Sequence, residues 1–303
     1  LPMPPAPSAA GRLAVVTVAH HSGAVLPGLA RDLGGQTPPP ALWVVVDNSP
    51  RSAPLRREDL LAAAPEAAPL NIRLLAGEEG DGFAAGCNRA LEALAADGWT
   101  GWIWLLNPDT GLPRGDEIAA LEGRLAALPA RALVGTAAVD DQGNLEPSGG
   151  WIDAGLDFRR RRVTPERAPE EEPLALDWLS GCSLALQPTA HTPPARFDPR
   201  FPLYYEDMDL CLRLGRAGAP VLWLPTPVVR HRRGTGSGDA GLRRLQLSTL
   251  GYLRFLRRHC PTWVVALRSL RMLVLTLVRL PRHPRRSLAV LGALGRGLTE
   301  RSR

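Results

Sequence analysis

The sequence predicts an α/β fold: a mostly parallel central sheet flanked by helices, with a C-terminal helical extension. Three observations carry this expectation. Short apolar, β-branched runs recur through the N-terminal half, and helical stretches separate them. Two of the runs end in polar turns that carry an aspartate, Asp47-Asn48-Ser49 and Asn107-Pro108-Asp109. From about 242 to 280 the chain reads as helical, with a break at Pro261. With 303 residues and 45% hydrophobic content, the chain can bury one large domain and an appendage.

Taken in order, LAVVTV at 13–18 and LWVVV at 42–46 are strands around a weakly helical stretch at 23–34. IRLL at 72–75 is a third strand. It leads into the Gly-rich turn GDGFAAGCN at 80–88 and a helix to about Ala96. WIWLL at 102–106 is a fourth strand and ends at Asn107-Pro108-Asp109. In open α/β sheets ligands bind beyond the carboxyl ends of strands, so Asp47 and Asp109 are expected to line one crevice. Residues 116–128 read as helix and 132–139 as extended. Residues 159–173, with RRRR set against EEE, read as a surface loop. A helix over 206–217 closes at Gly218, VLWL at 221–224 and VVRH at 228–231 are strand-like, and Pro281 and Pro284 end the helical tail.

The net charge is +6 and every basic residue is arginine. Past Arg254 the chain carries many arginines and a single acid, Glu300, which points to an anionic membrane surface or a nucleic acid. Aromatic and basic residues do not interleave as they do on base-stacking surfaces, so nucleic acid is set aside. Cys87, Cys182, Cys211 and Cys260 lie far apart with no CxxC, which fits a reducing, cytoplasmic setting and argues against zinc or disulfides. LPMPPAPSAAG at the start lacks the basic and apolar regions of a signal peptide and reads as a disordered tail.

Four stretches carry candidate chemistry. Asp109, held by a proline just after a buried strand, suits a hard divalent cation; a simple turn is the alternative reading. In YYEDMDLCLR, Glu206, Asp207 and Asp209 crowd into four positions after two tyrosines. Asp209 can pair with Arg213 at i,i+4, and acids favour a helix start. Desolvation and like charge would raise a carboxyl pKa here and make a better general base. His231 closes its strand and is followed by arginines that would keep it neutral, as a metal ligand requires; a structural histidine is the alternative. Gly236, Gly238 and Gly241 match GxGxxG but follow no strand directly and lack the distal acid, so a dinucleotide site is rejected in favour of a mobile covering loop. Residues 264–280 contain no charge-free run long enough to span a bilayer. Arg268, Arg271, Arg279, Arg282 and Arg286 form a stripe that suits a helix lying in a membrane interface, or else a packed helix with a solvated face.

In order and spacing, the motifs VVTVAHHSG, VVVDNS, GFAAGCN, WLLNPDT, DWLSGCS, FDPRFPLYYEDMDLCLRLGRAG and VVRH resemble the family-2 glycosyltransferases, above all their rhamnosyltransferase-like branch, over roughly residues 12–260. The resemblance implies a GT-A type fold, a nucleotide-diphosphate sugar donor and a saccharide or lipid-linked acceptor. It implies Thr17, Asp47, Gly82, Asn88, Asn107 and Asp109 on the donor side. It places Asp109 and His231 on Mg2+ or Mn2+, and Asp207 as catalytic base. Glu206, Asp209, Asp177, Gly181 and Cys182 would lie on the acceptor side. Departures are Ala19-His20-His21 after the first strand, Gly80 before the GF pair, and a single aspartate where a DxD is usual.

The expectation is therefore an inverting glycosyltransferase of cell-envelope polysaccharide synthesis, with rhamnose a candidate sugar. Residues 1–11 form a tail, 12–241 a GT-A domain and 242–303 a basic helical extension that holds the enzyme at the inner membrane face. A sugar nucleotidyltransferase would need a basic phosphate loop after the first strand, and AHHSGAVL lacks it. A non-catalytic sugar- or nucleotide-binding protein would not need Asp109 and Asp207 together.

Overall fold

The computed structural model describes residues 13–78, 80–153, 159–164, 172–201, 203–232 and 238–300, without the side chains of 159–160 and 238–240. The N-terminal half runs β1 (Ala14–Ala19), α1 (Leu26–Gly34), β2 (Leu42–Asp47), α2 (Arg57–Ala63), β3 (Ile72–Ala76), α3 (Phe83–Ala96), β4 (Ile103–Leu106), β5 (Thr110–Gly111), α4 (Glu117–Leu125) and β6 (Leu133–Val139). Then follow β7 (Gly149–Asp153), β8 (Arg159–Arg162), β9 (Leu174–Ala175), β10 (Trp178–Leu179), β11 (Ser183–Leu186), α5 (Glu206–Arg216), β12 (Val221–His231), α6 (Gly238–His259), α7 (Thr262–Arg279) and α8 (Pro284–Thr299).

A nine-stranded sheet has the order β3-β2-β1-β4-β11-β6-β12-β5, with β9 on β12. The block β3-β2-β1-β4 is parallel. β11 then enters antiparallel between β4 and β6, and β12 is parallel to β6. The parallel block needs cover on both faces, which is why its strands read as continuous apolar runs. On β1, Ala14, Val16 and Val18 join the core beneath α3 and α5, and Val15 and Ala19 join the core beneath α1 and α4. β2 divides in the same way between Val44 and Val46 on one face and Trp43 and Val45 on the other.

Four expectations are corrected. RRRR at 159–162 is not a loop but β8, paired antiparallel with β7 in a three-stranded sheet completed by β10. VLWL and VVRH are one strand, β12, with a register shift between Leu224 and Val228 that accommodates the intervening Pro225 and Pro227. Pro284 does not end the helical tail. It occupies the first turn of α8, where its missing N–H has no intrahelical partner to lose. The boundary expected at 241/242 falls inside α6. The expected tail at 1–11 and residues 234–237 of the covering loop expected at 234–241 lie outside the described residues, and 238–241 belong to α6.

Candidate active site

The polar turn after β4 is tied to the start of β11. Asn107 N–H donates to Cys182 O at 3.2 Å, and the Asn107 carbonyl accepts from Thr110 N–H and Oγ1–H. Gly181, one residue upstream of Cys182, donates its N–H to Asp207 Oδ2 at 2.8 Å, and Met208 N–H donates to Oδ1 at 2.8 Å. A Cβ at Gly181 would stand 3.2 Å from the Phe83 ring and 3.5 Å from Asp207 Cβ. A side chain there would press on the Phe83 ring and stand in ordinary contact with Asp207 Cβ. The Cys182 thiol reports the surroundings. Burial pushes its pKa up to about 11, a Ser180 hydrogen bond opposes this, and Asp207, Glu146 and Asp109 add to the rise.

Asp109 and His231 are brought together by β5. This two-residue strand pairs antiparallel with the end of β12, placing His231 opposite Thr110, and Arg232 N–H donates to the Asp109 carbonyl at 2.9 Å. His231 Nε2 lies 3.4 Å from Asp109 Oδ1. On the other side of the ring, Nδ1 lies 2.7 Å from Glu146 Oε2. Glu146 was not foreseen. It sits on a short return from β6, where Asp140 organises the turn by accepting from Gln142 and Asn144, and Glu146 N–H donates to the Ala138 carbonyl. The Gly143-Asn144 turn after a strand was the available signal. The expectation of a neutral His231 is corrected: burial opposes its charge, but Asp109 and Glu146 outweigh burial and hold its pKa above the ordinary value.

Asp109 is three-quarters buried, and with His231 it offers an oxygen and a nitrogen donor at one point. That donor chemistry fits Mg2+ or Mn2+ bound mainly by phosphate and water oxygens. Among the described residues no group of three or more His, Cys, Asp and Glu side chains could hold a metal by itself. A cavity of about 210 Å³ beside Asp109 is lined by Arg31, Thr110 and Arg232, with Pro27 and Gly28 of α1.

At the other end of the crevice, Asp47 accepts from Ser49 N–H at 3.0 Å and Leu55 N–H at 2.6 Å, and so shapes the loop after β2. Asn48 is buried and donates from Nδ2 to the carbonyls of Asp81 and Gly82, which caps the start of α3 in extended conformation. Asp177 accepts from Ile152 N–H at 2.6 Å and lines a second cavity, of about 370 Å³, with Cys211 and Gly215.

Three expected ligand contacts are corrected. Thr17 is fully buried and its hydroxyl accepts from Trp43 Nε1–H at 3.0 Å, because its position on β1 faces the core. Asn88 spends both ends of its amide on Phe197, accepting from its N–H and donating to its carbonyl, each at 2.9 Å. Asp209 is fully buried among Arg213 at 2.7 Å, His259 at 2.8 Å and Arg258 at 3.1 Å, so it joins α5 to α6 instead of meeting an acceptor. These partners depress its pKa although burial acts against them.

Within the acidic cluster, the raised carboxyl is Glu206, through burial first and Asp207 second. Its Oε2 has no hydrogen-bond partner among the described residues. Tyr204 and Tyr205 enter α5 with positive φ, 65° and 73°, a conformation that is costly for bulky residues and tolerated where the surroundings enforce it. Tyr204 is exposed, and Tyr205 turns onto Tyr252 and Phe255 of α6.

No family model matches the chain. The chain is similar to N-acetylglucosaminyl-diphospho-decaprenol L-rhamnosyltransferase of Mycobacterium tuberculosis (strains CDC 1551 / Oshkosh and ATCC 25618 / H37Rv). The two are 27% identical over 286 residues, spanning 84% of this chain and 88% of the relative. Among solved structures it is similar to mannosyltransferase PcManGT from Pyrobaculum calidifontis in complex with GDP-Man and Mn2+, with a TM-score of 0.57, 15% identity, and 96% of this chain and 88% of that one covered. The chain is a glycosyltransferase of the GT-A type. It is also similar to GalNAc-T7 with UDP, GalNAc and Mn2+ (TM-score 0.52, 14% identity, 81% of this chain), and spans about half, 49%, of that protein. The glycosyltransferase resembles the rhamnosyltransferase-like members of family 2, as its motifs imply.

Proposed function

We propose that this glycosyltransferase moves a deoxyhexose or hexose, rhamnose being the candidate, from a nucleotide-diphosphate sugar to a lipid-linked saccharide of the cell envelope, with inversion. The observation that carries this reading is a pair of backbone contacts: Gly181 N–H donates to Asp207 Oδ2 at 2.8 Å, and the next residue, Cys182, accepts through its carbonyl from Asn107 N–H at 3.2 Å, which ties a candidate base to the turn that carries Asp109. Asp207, oriented by two N–H donors, takes the proton of an acceptor hydroxyl. The hydroxyl oxygen attacks the anomeric carbon as the bond to the diphosphate oxygen breaks. Asp109 and His231 would hold the cation, and a divalent cation bound there would neutralise the diphosphate leaving group. Arg31 and Arg232 on the adjacent cavity favour the same anion. The curated relatives are named for a decaprenol-linked acceptor, which supports the lipid-linked reading. Asp207→Asn should leave donor affinity within about twofold and lower kcat by at least 10²-fold, in the range of lost general-base catalysis. Turnover near the wild-type rate would remove Asp207 as base.

The C-terminal helices support peripheral attachment to an anionic membrane face. α7 turns small or short side chains inward, with Val264, Ser269 and Thr276 buried. Trp263, Leu267, Leu270, Val274, Leu277 and Val278 point outward and are all about half exposed or more. A water-facing helix shows the reverse pattern. Apolar residues outward, among arginines and with no acid between Arg254 and Glu300, suit a helix half-sunk among anionic headgroups. No helix among the described residues is long and apolar enough to cross a membrane.

A further inference from the structure

We infer that Glu146 is a positioning residue that fixes the His231 imidazole for the metal. This deepens the metal reading above and rests on it.

A carboxylate accepts hydrogen bonds and donates none when ionised. The 2.7 Å contact between Glu146 Oε2 and His231 Nδ1 therefore places a hydrogen on Nδ1. In the neutral ring the lone pair is then on Nε2, the nitrogen that faces Asp109 Oδ1 at 3.4 Å. Two electron-pair donors that converge in this way repel unless a cation sits between them. That lone pair and the Asp109 carboxylate would be the ligands of a divalent cation placed between them. Histidines that bind metal commonly use a carboxylate on the far ring nitrogen to set tautomer and ring orientation.

The fold builds this contact on purpose-made backbone. Asp140 closes the turn after β6, Leu145 bridges back to Val139, and Glu146 N–H is held by Ala138 O at 2.7 Å. Glu146 and His231 are both nearly buried, with side chains 12% and 10% exposed, so water competes weakly for the bond. Arg232, next along β12, pairs with Asp141 at 3.4 Å and ties the same turn to the same strand.

The test reads tautomer and metal separately. ¹⁵N-histidine NMR is recorded at a pH where the ring is neutral, and Mn2+ is then titrated while paramagnetic broadening of the His231 ring is followed. Wild type should show hydrogen on Nδ1. Glu146→Ala should shift the population toward Nε2–H and weaken Mn2+ broadening about 10- to 100-fold in concentration. Glu146→Gln, which can still accept from Nδ1–H through its carbonyl, should restore most of the Nδ1–H signature. Glu146→Ala with the wild-type tautomer and midpoint, while His231→Ala weakens Mn2+ binding as read by water-proton relaxation, overturns the positioning role alone. Unchanged Mn2+ binding in His231→Ala overturns the metal reading on which it rests. Far-UV circular dichroism and the melting temperature of each variant show that it is folded, and Glu146→Gln carries the test if the alanine variant is not.

Discussion

At the residue scale, the acidic cluster divides its labour by burial. Glu206, Asp207 and Asp209 are neighbours in sequence, yet Glu206 is buried with its carboxyl pKa raised, Asp207 is held by two N–H donors, and Asp209 is paired with Arg213 and His259. Glu206 is buried, its Oε2 has no partner among the described residues, and its pKa rises well above the ordinary carboxyl value. The sign of its effect on stability follows. A group with a raised folded pKa contributes stability that is present below its unfolded pKa, near 4.5, and is lost as pH rises through the folded value. Glu206→Gln should therefore match wild type in thermal stability below about pH 4.5 and exceed it at pH 8, a difference that melting curves across pH will show. An equal fall of both proteins on the alkaline side would place the titration elsewhere. The sequence identified the crowding of like charges, but which carboxyl it would raise depends on which one the helix start buries.

At the scale of elements, α5 and α6 are locked by a buried ion network. Asp209 meets Arg213 on its own helix and Arg258 and His259 on α6, and Arg258 also pairs with Asp198. Removing one member of a buried pair strands the others. Asp209→Ala should cost about 3–5 kcal/mol of stability, measured by denaturant unfolding, with acceptor KM unchanged in whatever fraction remains folded. Because the folded pKa of Asp209 is depressed, its stabilisation is present above the unfolded carboxyl pKa and lost as pH falls through the folded value. The variant should lose the corresponding acid-side slope. α7 answers to a different test. Leu270→Glu with Val274→Glu should sharply reduce sedimentation with anionic liposomes and leave transfer to a soluble acceptor intact, since neither side chain is buried. Wild-type sedimentation of that double variant would remove the apolar face as an anchor. The i, i+4 pairing of Asp209 with Arg213 was legible from spacing alone. The partners on α6 were not, because they lie some fifty residues downstream, and only packing of the two helices brings them within reach.

At the scale of the whole molecule, the C-terminal helices are part of the packed structure. α8 covers Leu250 and Leu253 of α6, Gly297 lies close against Leu253, and Glu300 pairs with Arg254. Truncation at 262 should therefore lower the unfolding free energy by about 1.5–3 kcal/mol for each leucine uncovered, seen as a lower melting temperature, as well as change membrane binding; point changes on α7 separate the two effects. Chelation with EDTA should suppress transfer and Mn2+ should restore it, checked by sugar release from the donor in matched assays; full activity in excess EDTA would remove the metal role of Asp109. The parallel strands and their order along the chain were legible because both-face burial writes continuous β-branched runs into sequence. The aspartates at the ends of β2 and β4, and the acidic start of α5, were legible because polar residues interrupt those runs at fixed places. What only the tertiary structure decided was the company each one keeps. The family resemblance implies ligand contacts at Thr17, Asn88 and Asp209, but strand facing and helix packing bury Thr17 and Asp209, and Asn88 spends its amide on the Phe197 backbone. The Gly143-Asn144 turn after β6 is visible in sequence, but that it folds Glu146 against His231 is not. Residue type and local period determine which groups are present and on which element. Their meeting depends on strand order and register across the sheet, and no local stretch of sequence contains that information.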